Sequence, residues 1–128
     1  IDLGKIETPA YVQAGREDHI APCRSVWKLT EQLTGPVRFV LAGSGHIAGV
    51  VNPPEANKYQ YWTCDAPAGS LEAFEAAATE TEGSWWPDWR RWIEDQGGKT
   101  VPATGARIPG EGALPAIEDA PGRYVKTR

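Results

Sequence analysis

Two apolar runs of strand length, Tyr11-Val12-Gln13-Ala14 and Val37-Arg38-Phe39-Val40-Leu41, flank a segment with helical periodicity. The first run predicts a short buried strand over residues 9 to 14, broken off by the polar stretch Gly15-Arg16-Glu17-Asp18-His19. From Pro22 onward Val26, Leu29 and Leu33 recur at helical spacing, and Gly35-Pro36 supplies the stop. The second run predicts a strand over residues 37 to 41, again followed by a glycine-rich break, Gly43-Ser44-Gly45-His46. Strand, loop, helix, strand, loop is the order of a βαβ unit of a parallel sheet, so the chain reads as α/β.

Further along, the pattern loosens. Residues 52 to 62 have no clear period and read as loop with a turn. Ser70 is placed to cap a helix running from Leu71 to about Glu82, with Leu71, Phe74 and Ala78 on one face and Gly83 as terminator. Pro87 opens a second short helix over residues 87 to 96, with Trp89, Trp92 and Ile93 on one side and Gly97-Gly98 at its end. Beyond it, four prolines (Pro102, Pro109, Pro115, Pro121) and four glycines (Gly105, Gly110, Gly112, Gly122) interrupt the chain with no apolar period. That composition predicts an irregular strap, ordered by packing on a larger body. Residues 1 to 98 are therefore read as the α/β part and 99 to 128 as an extended tail of the same domain.

Length and charge narrow the classes. With 128 residues the chain is at most one domain, and it opens with Ile1 and contains no methionine, which reads as a piece of something longer. Thirteen basic against seventeen acidic residues give a net charge of -4, with no basic cluster longer than Arg90-Arg91. This argues against nucleic acid and against an anionic membrane surface as partners. No apolar stretch approaches the roughly 18 residues of a membrane span, and no signal peptide is recognisable. Cys23 and Cys64 lie far apart, outside any CxxC motif and without histidine at metal-ligand spacing, so they read as reduced structural thiols rather than a disulfide or a zinc site. No metal or cofactor is called for.

The chemistry in view is an acid after one strand and a histidine after the next. In a parallel sheet the loops at the carboxyl ends of strands carry function, which sets Asp18 and His46 on a common edge. An imidazole that keeps its proton on the nitrogen facing a carboxylate can accept a proton on the other, as a nucleophile's base must. Glycines at 43, 45 and 49 are expected to let the backbone turn sharply around the ring. Glu17 and His19 compete with Asp18 on placement alone. Neighbouring side chains diverge, so at most one of the three points cleanly at His46. The six tryptophans of the chain, four of them at positions 85, 86, 89 and 92, fit either a short helix packed on a sheet or an aromatic platform for sugar or polymer, and packing is the commoner use.

The strings Tyr11-Val12-Gln13-Ala14-Gly15-Arg16-Glu17-Asp18-His19-Ile20-Ala21-Pro22 and Gly43-Ser44-Gly45-His46-Ile47-Ala48-Gly49-Val50-Val51-Asn52-Pro53-Pro54, followed by Tyr61-Trp62, resemble the C-terminal part of the poly(3-hydroxyalkanoate) synthases. The segments Ser84-Trp85-Trp86-Pro87-Asp88-Trp89 and Ala120-Pro121-Gly122-Arg123-Tyr124-Val125-Lys126 resemble the class I form of that family. The likeness runs from about residue 9 to the end and is weakest over 64 to 82 and 102 to 117.

The resemblance implies the last strands, helices and tail of an α/β-hydrolase-like fold, with Asp18 and His46 as the acid and histidine of a Cys-Asp-His triad. The family's nucleophilic cysteine lies on a G-x-C-x-G elbow before both. Cys23, which stands where the family commonly has tryptophan, and Cys64 lack the flanking glycines and follow Asp18, so neither matches it. The implied reaction is acyl transfer from 3-hydroxyacyl-coenzyme A onto a growing polyester chain, by a cytoplasmic homodimer at the surface of polyester granules. In that reaction Asp18 either orients His46 or assists the attacking hydroxyl. Two other readings compete: the tail of a serine esterase or lipase of the same fold, and a non-catalytic binding module built on the tryptophans.

Overall fold

The computed structural model describes residues 2–65 and 69–127. Four strands form one sheet in the order β1 (Ala10–Gly15), β2 (Val37–Ala42), β3 (Gln60–Thr63) and β4 (Thr79–Glu82). β1 and β2 run parallel, in register from Ala10 opposite Val37 to Gly15 opposite Ala42, and α1 (Cys23–Thr30) connects them. β3 and β4 are antiparallel additions, with Leu41 opposite Trp62 and Trp62 opposite Glu80. The result is an α/β architecture with a mixed sheet, where the sequence pattern had suggested parallel pairing only.

The run at 37 to 41 is apolar without strict alternation because both of its faces are covered. On one face Val12, Ala14, Phe39 and Leu41 pack with Trp27 of α1 and with Leu71 and Phe74 of α2 (Leu71–Ala77). Phe39 lies edge-on to Trp27 at 4.8 Å and to Phe74 at 5.0 Å between centroids. Burying each such ring is worth about 2 kcal/mol or more. On the other face Val40, Ala42 and Tyr61 pack with Trp85, joined by Tyr11 and Trp86.

Several expectations change. α1 does turn on an apolar face, but its buried anchor is Trp27, while Val26 is half-buried and Leu29 is exposed. β3 falls in what reads as loop over 52 to 62, a strand too short to show a period. The helix capped by Ser70, whose Oγ accepts from the Ala73 amide at 3.1 Å, ends at Ala77 rather than near Glu82. At Ala78 the backbone opens to φ -69°, ψ 142°, and Thr79-Glu80-Thr81-Glu82 continues as an exposed edge strand. Two β-branched threonines suit an extended backbone, and glutamates along an edge discourage further pairing. Gly83, at φ 89°, therefore closes a strand, not a helix.

α3 (Trp86–Gln96) begins one residue early, its first amide held by Ser84 Oγ at 3.1 Å. Its inward side carries Asp88 and Trp92, so Trp89 and Ile93, expected to be covered, are exposed. These elements lie in one compact unit, Ile1–Gln96. Gly97–Arg128 forms a second unit, whose described residues are irregular apart from two single-turn 3-10 helices, Gly105–Arg107 and Tyr124–Lys126.

Candidate active site

The loops after β1 and β2 are sewn together by their own backbones. The Arg16 amide donates to Ala42 carbonyl oxygen at 2.8 Å and the Glu17 amide to that of Ser44 at 3.1 Å. The Gly43 amide donates to Gln60 carbonyl oxygen at 2.7 Å, fastening the second loop to β3. The sharp turn falls on Ser44, at φ 76°, and none of Gly43, Gly45 and Gly49 adopts a left-handed backbone. Two of those glycines serve close approach instead: a Cβ on Gly43 would sit 2.8 Å from Gln60 carbonyl oxygen, and one on Gly49 2.8 Å from that of Gly45.

This frame brings Asp18 and His46 together. His46 Nδ1 lies 2.8 Å from Asp18 Oδ2, while Asp18 Oδ1 accepts from the amides of Ile20 at 2.8 Å and Ala21 at 2.9 Å. Both carboxylate oxygens are engaged and the side chain is 6% exposed, whereas the imidazole is 46% exposed. The Ala21 amide, then His46 and the Ile20 amide, hold the Asp18 carboxyl below its ordinary value against the opposing effect of burial. An ionised carboxylate only accepts hydrogen bonds, so the shared proton sits on Nδ1. In the neutral form of the ring that tautomer puts the lone pair on Nε2, and among the described residues Nε2 has no protein partner.

A second carboxylate is buried on the face of the sheet that carries Tyr11 and Trp85. Asp88 receives Arg38 Nε at 2.8 Å and Nη2 at 2.6 Å, and the Tyr11 hydroxyl at 2.9 Å. Burial pushes the Asp88 carboxyl up, but the Arg38 and Tyr11 bonds outweigh it and hold the group below its ordinary value. Burial and the neighbouring Asp88 charge push the Tyr11 phenol up. Among the described residues, no group of three or more His, Cys, Asp or Glu side chains could hold a metal ion, and no helix is long and apolar enough to cross a membrane.

No family model matches the chain. Curated relatives do, across all of it. The poly(3-hydroxyalkanoate) polymerase subunit PhaC of Rhizobium meliloti is 51% identical over 128 residues, covering 100% of this chain and 20% of the relative. The poly(3-hydroxyalkanoate) polymerase of Methylorubrum extorquens is 50% identical over 129 residues, covering 100% of this chain and 21% of the relative. The subunit PhaC of Cupriavidus necator is 46% identical over 130 residues, covering 100% and 21%. The chain is homologous to a segment of the poly(3-hydroxyalkanoate) polymerases. It spans about a fifth of the length of the curated relatives it matches.

Within this polymerase-like segment the three neighbouring candidates separate cleanly. Asp18 meets His46, while the exposed Glu17 and His19 make no described side-chain contact with it. Cys23 and Cys64 pack half-buried against the core face that holds Trp27 and Phe39. Of the tryptophans, Trp85 is buried and Trp86 half-buried, and both indole nitrogens reach back to the loop of His46. Sequence reasoning weighed packing against an aromatic platform for that pair and favoured packing. The available signal was that a buried indole N–H needs an acceptor, but nothing in the sequence said which carbonyl it would find.

Proposed function

We propose that the chain is the C-terminal segment of a class I poly(3-hydroxyalkanoate) synthase and contributes Asp18 and His46 to a Cys-Asp-His triad in an α/β-hydrolase-like domain. The observation that carries the reading is the 2.8 Å contact from His46 Nδ1 to Asp18 Oδ2, made in a chain homologous throughout to the polymerases.

In the proposed reaction, Nε2 of His46 takes the proton of a cysteine thiol supplied by the rest of the polymerase. The thiolate attacks the thioester carbonyl of a 3-hydroxyacyl-coenzyme A. The bond from carbonyl carbon to the coenzyme's sulfur breaks, the acyl group stays on the cysteine, and the departing thiolate recovers the proton from the imidazolium. A 3-hydroxyl then attacks an acyl thioester. As its proton passes to His46, an ester bond forms, the thioester bond breaks and the released sulfur is reprotonated. An alcohol ionises far above neutral pH, so this step needs a base within hydrogen-bond reach. For Asp18 the orienting role is the better supported, because both of its oxygens are already committed to protein donors. The polyester chain, a homodimeric enzyme and a place at the granule surface in the cytoplasm belong to the same proposal.

Coenzyme A release from 3-hydroxybutyryl-coenzyme A tests it. In the full-length polymerase carrying this segment, His46→Gln is expected to reduce release by about a thousandfold or more. Near-normal release from a folded His46→Gln protein would overturn the assignment.

A further inference from the structure

The turn that carries His46 is fastened at both ends, and only one fastening belongs to the sheet. At its amino end the Gly43 amide is bonded to β3 and the Ser44 carbonyl to the Glu17 amide. Within it, the Gly49 amide donates to Gly45 carbonyl oxygen at 2.8 Å, and those of Val50 and Val51 to Ile47 carbonyl oxygen at 3.1 and 2.8 Å. A helical turn of this kind leaves its last carbonyls unpaired. Here those of Gly49 and Val50 accept from two successive indoles, Trp85 Nε1 at 2.8 Å and Trp86 Nε1 at 3.0 Å. Gly49 is buried, so water is a poor substitute for the first of these donors.

The indoles are themselves anchored. Trp85 stacks on Tyr11 at 6.0 Å between centroids, and the Tyr11 hydroxyl is bonded to Asp88, which Arg38 grips with two nitrogens. By contrast, nearly half of the His46 ring faces solvent, and Asp18 is its single protein partner among the described residues. The place of the ring is therefore set by the backbone that bears it.

We propose that Trp85 and Trp86 are positioning residues for His46: their indole N–H groups clamp the carboxyl end of its turn and hold Nδ1 in reach of Asp18. The proposal rests on the assignment of His46 as the base. Its consequence is kinetic. A displacement of about 1 Å is enough to cost an oriented catalytic group much of its rate, whereas binding of substrate elsewhere in the polymerase is untouched.

Trp86→Phe is the informative change, because an aromatic ring is kept while the indole N–H donor is lost, and the half-buried site leaves little enclosed cavity. In the full-length polymerase, Trp86→Phe is expected to lower kcat about tenfold. KM and the thermal midpoint should stay within about a factor of two and about 2 °C of the unaltered protein. Trp85→Phe, measured per folded molecule, should lower kcat at least as far. His46→Gln in the same assay separates the two claims. If it abolishes turnover while both phenylalanine variants keep kcat, the clamp is refuted and the base stands. If His46→Gln keeps turnover, the base assignment fails and the clamp with it. A fall in thermal midpoint with kcat per folded molecule unchanged would reduce the indoles to packing and overturn the proposal.

Discussion

Asp18 and Asp88 each leave only 6% of the side chain exposed, yet they face different partners. Asp88 faces a permanently charged guanidinium that grips it through two nitrogens, with a phenol completing the set. Nothing in that cluster changes protonation near neutral pH, and its product is a fixed junction between β1, β2 and α3. Asp18 is held by two backbone amides and faces an imidazole whose far nitrogen is open. A buried carboxylate thus becomes structural or chemical according to the partner it is given: one that cannot release a proton locks the fold, and one that can is able to pass it on.

Exchanging each carboxylate for its amide should split the two roles. The largest expected effect is on Asp18→Asn in the full-length polymerase, where coenzyme A release should fall by about a thousandfold or more with the fold retained, because an amide favours the wrong imidazole tautomer. Comparable losses of turnover in both variants would erase the contrast. Next comes Asp88→Asn, which leaves the Arg38 charge only the exposed Asp65 carboxylate at 3.4 Å and should destabilise by about 3 kcal/mol in denaturant unfolding, with turnover per folded molecule near normal. Smallest is the acid dependence. Both carboxyls have folded-state values below the ordinary value of about 4. Their contribution is complete above that value and is lost as pH falls through the folded-state value. Asp88→Asn should therefore flatten the fall of thermal midpoint with acidification below about pH 4, and an unchanged slope would show that Arg38 and Tyr11 do not depress the Asp88 carboxyl.

The contrast was half legible in the sequence. Asp18 and His46 stand at strand ends that apolar runs announce, because strands covered on both faces leave a continuous signal. Their common edge follows from parallel pairing of those strands, which the register of β1 and β2 provides. Asp88 was not legible, since a charged residue on a short helix reads as solvent-facing unless its partner is known, and Arg38 lies fifty positions away. β3 and β4 were missed for a related reason. Four residues show no period, and Thr79 to Glu82 is exposed throughout, so no apolar alternation marks it. At Trp27 the anchor of α1 was overlooked because Val26 and Leu29 also fit a helical spacing. The resemblance to the synthases singled out Asp18 and His46 as candidates, while the backbone bonds that bring their loops together came only from the structure.

In the proposed machinery a proton is held between His46 Nδ1 and Asp18, with Nε2 left unprotonated. Nitrogen-15 NMR of histidine-labelled full-length polymerase near neutral pH reads that state directly. A downfield, exchange-protected Nδ1 proton on His46 that disappears in Asp18→Asn is the predicted result. A His46 carrying its proton on Nε2, with a spectrum indifferent to the change at Asp18, would contradict it.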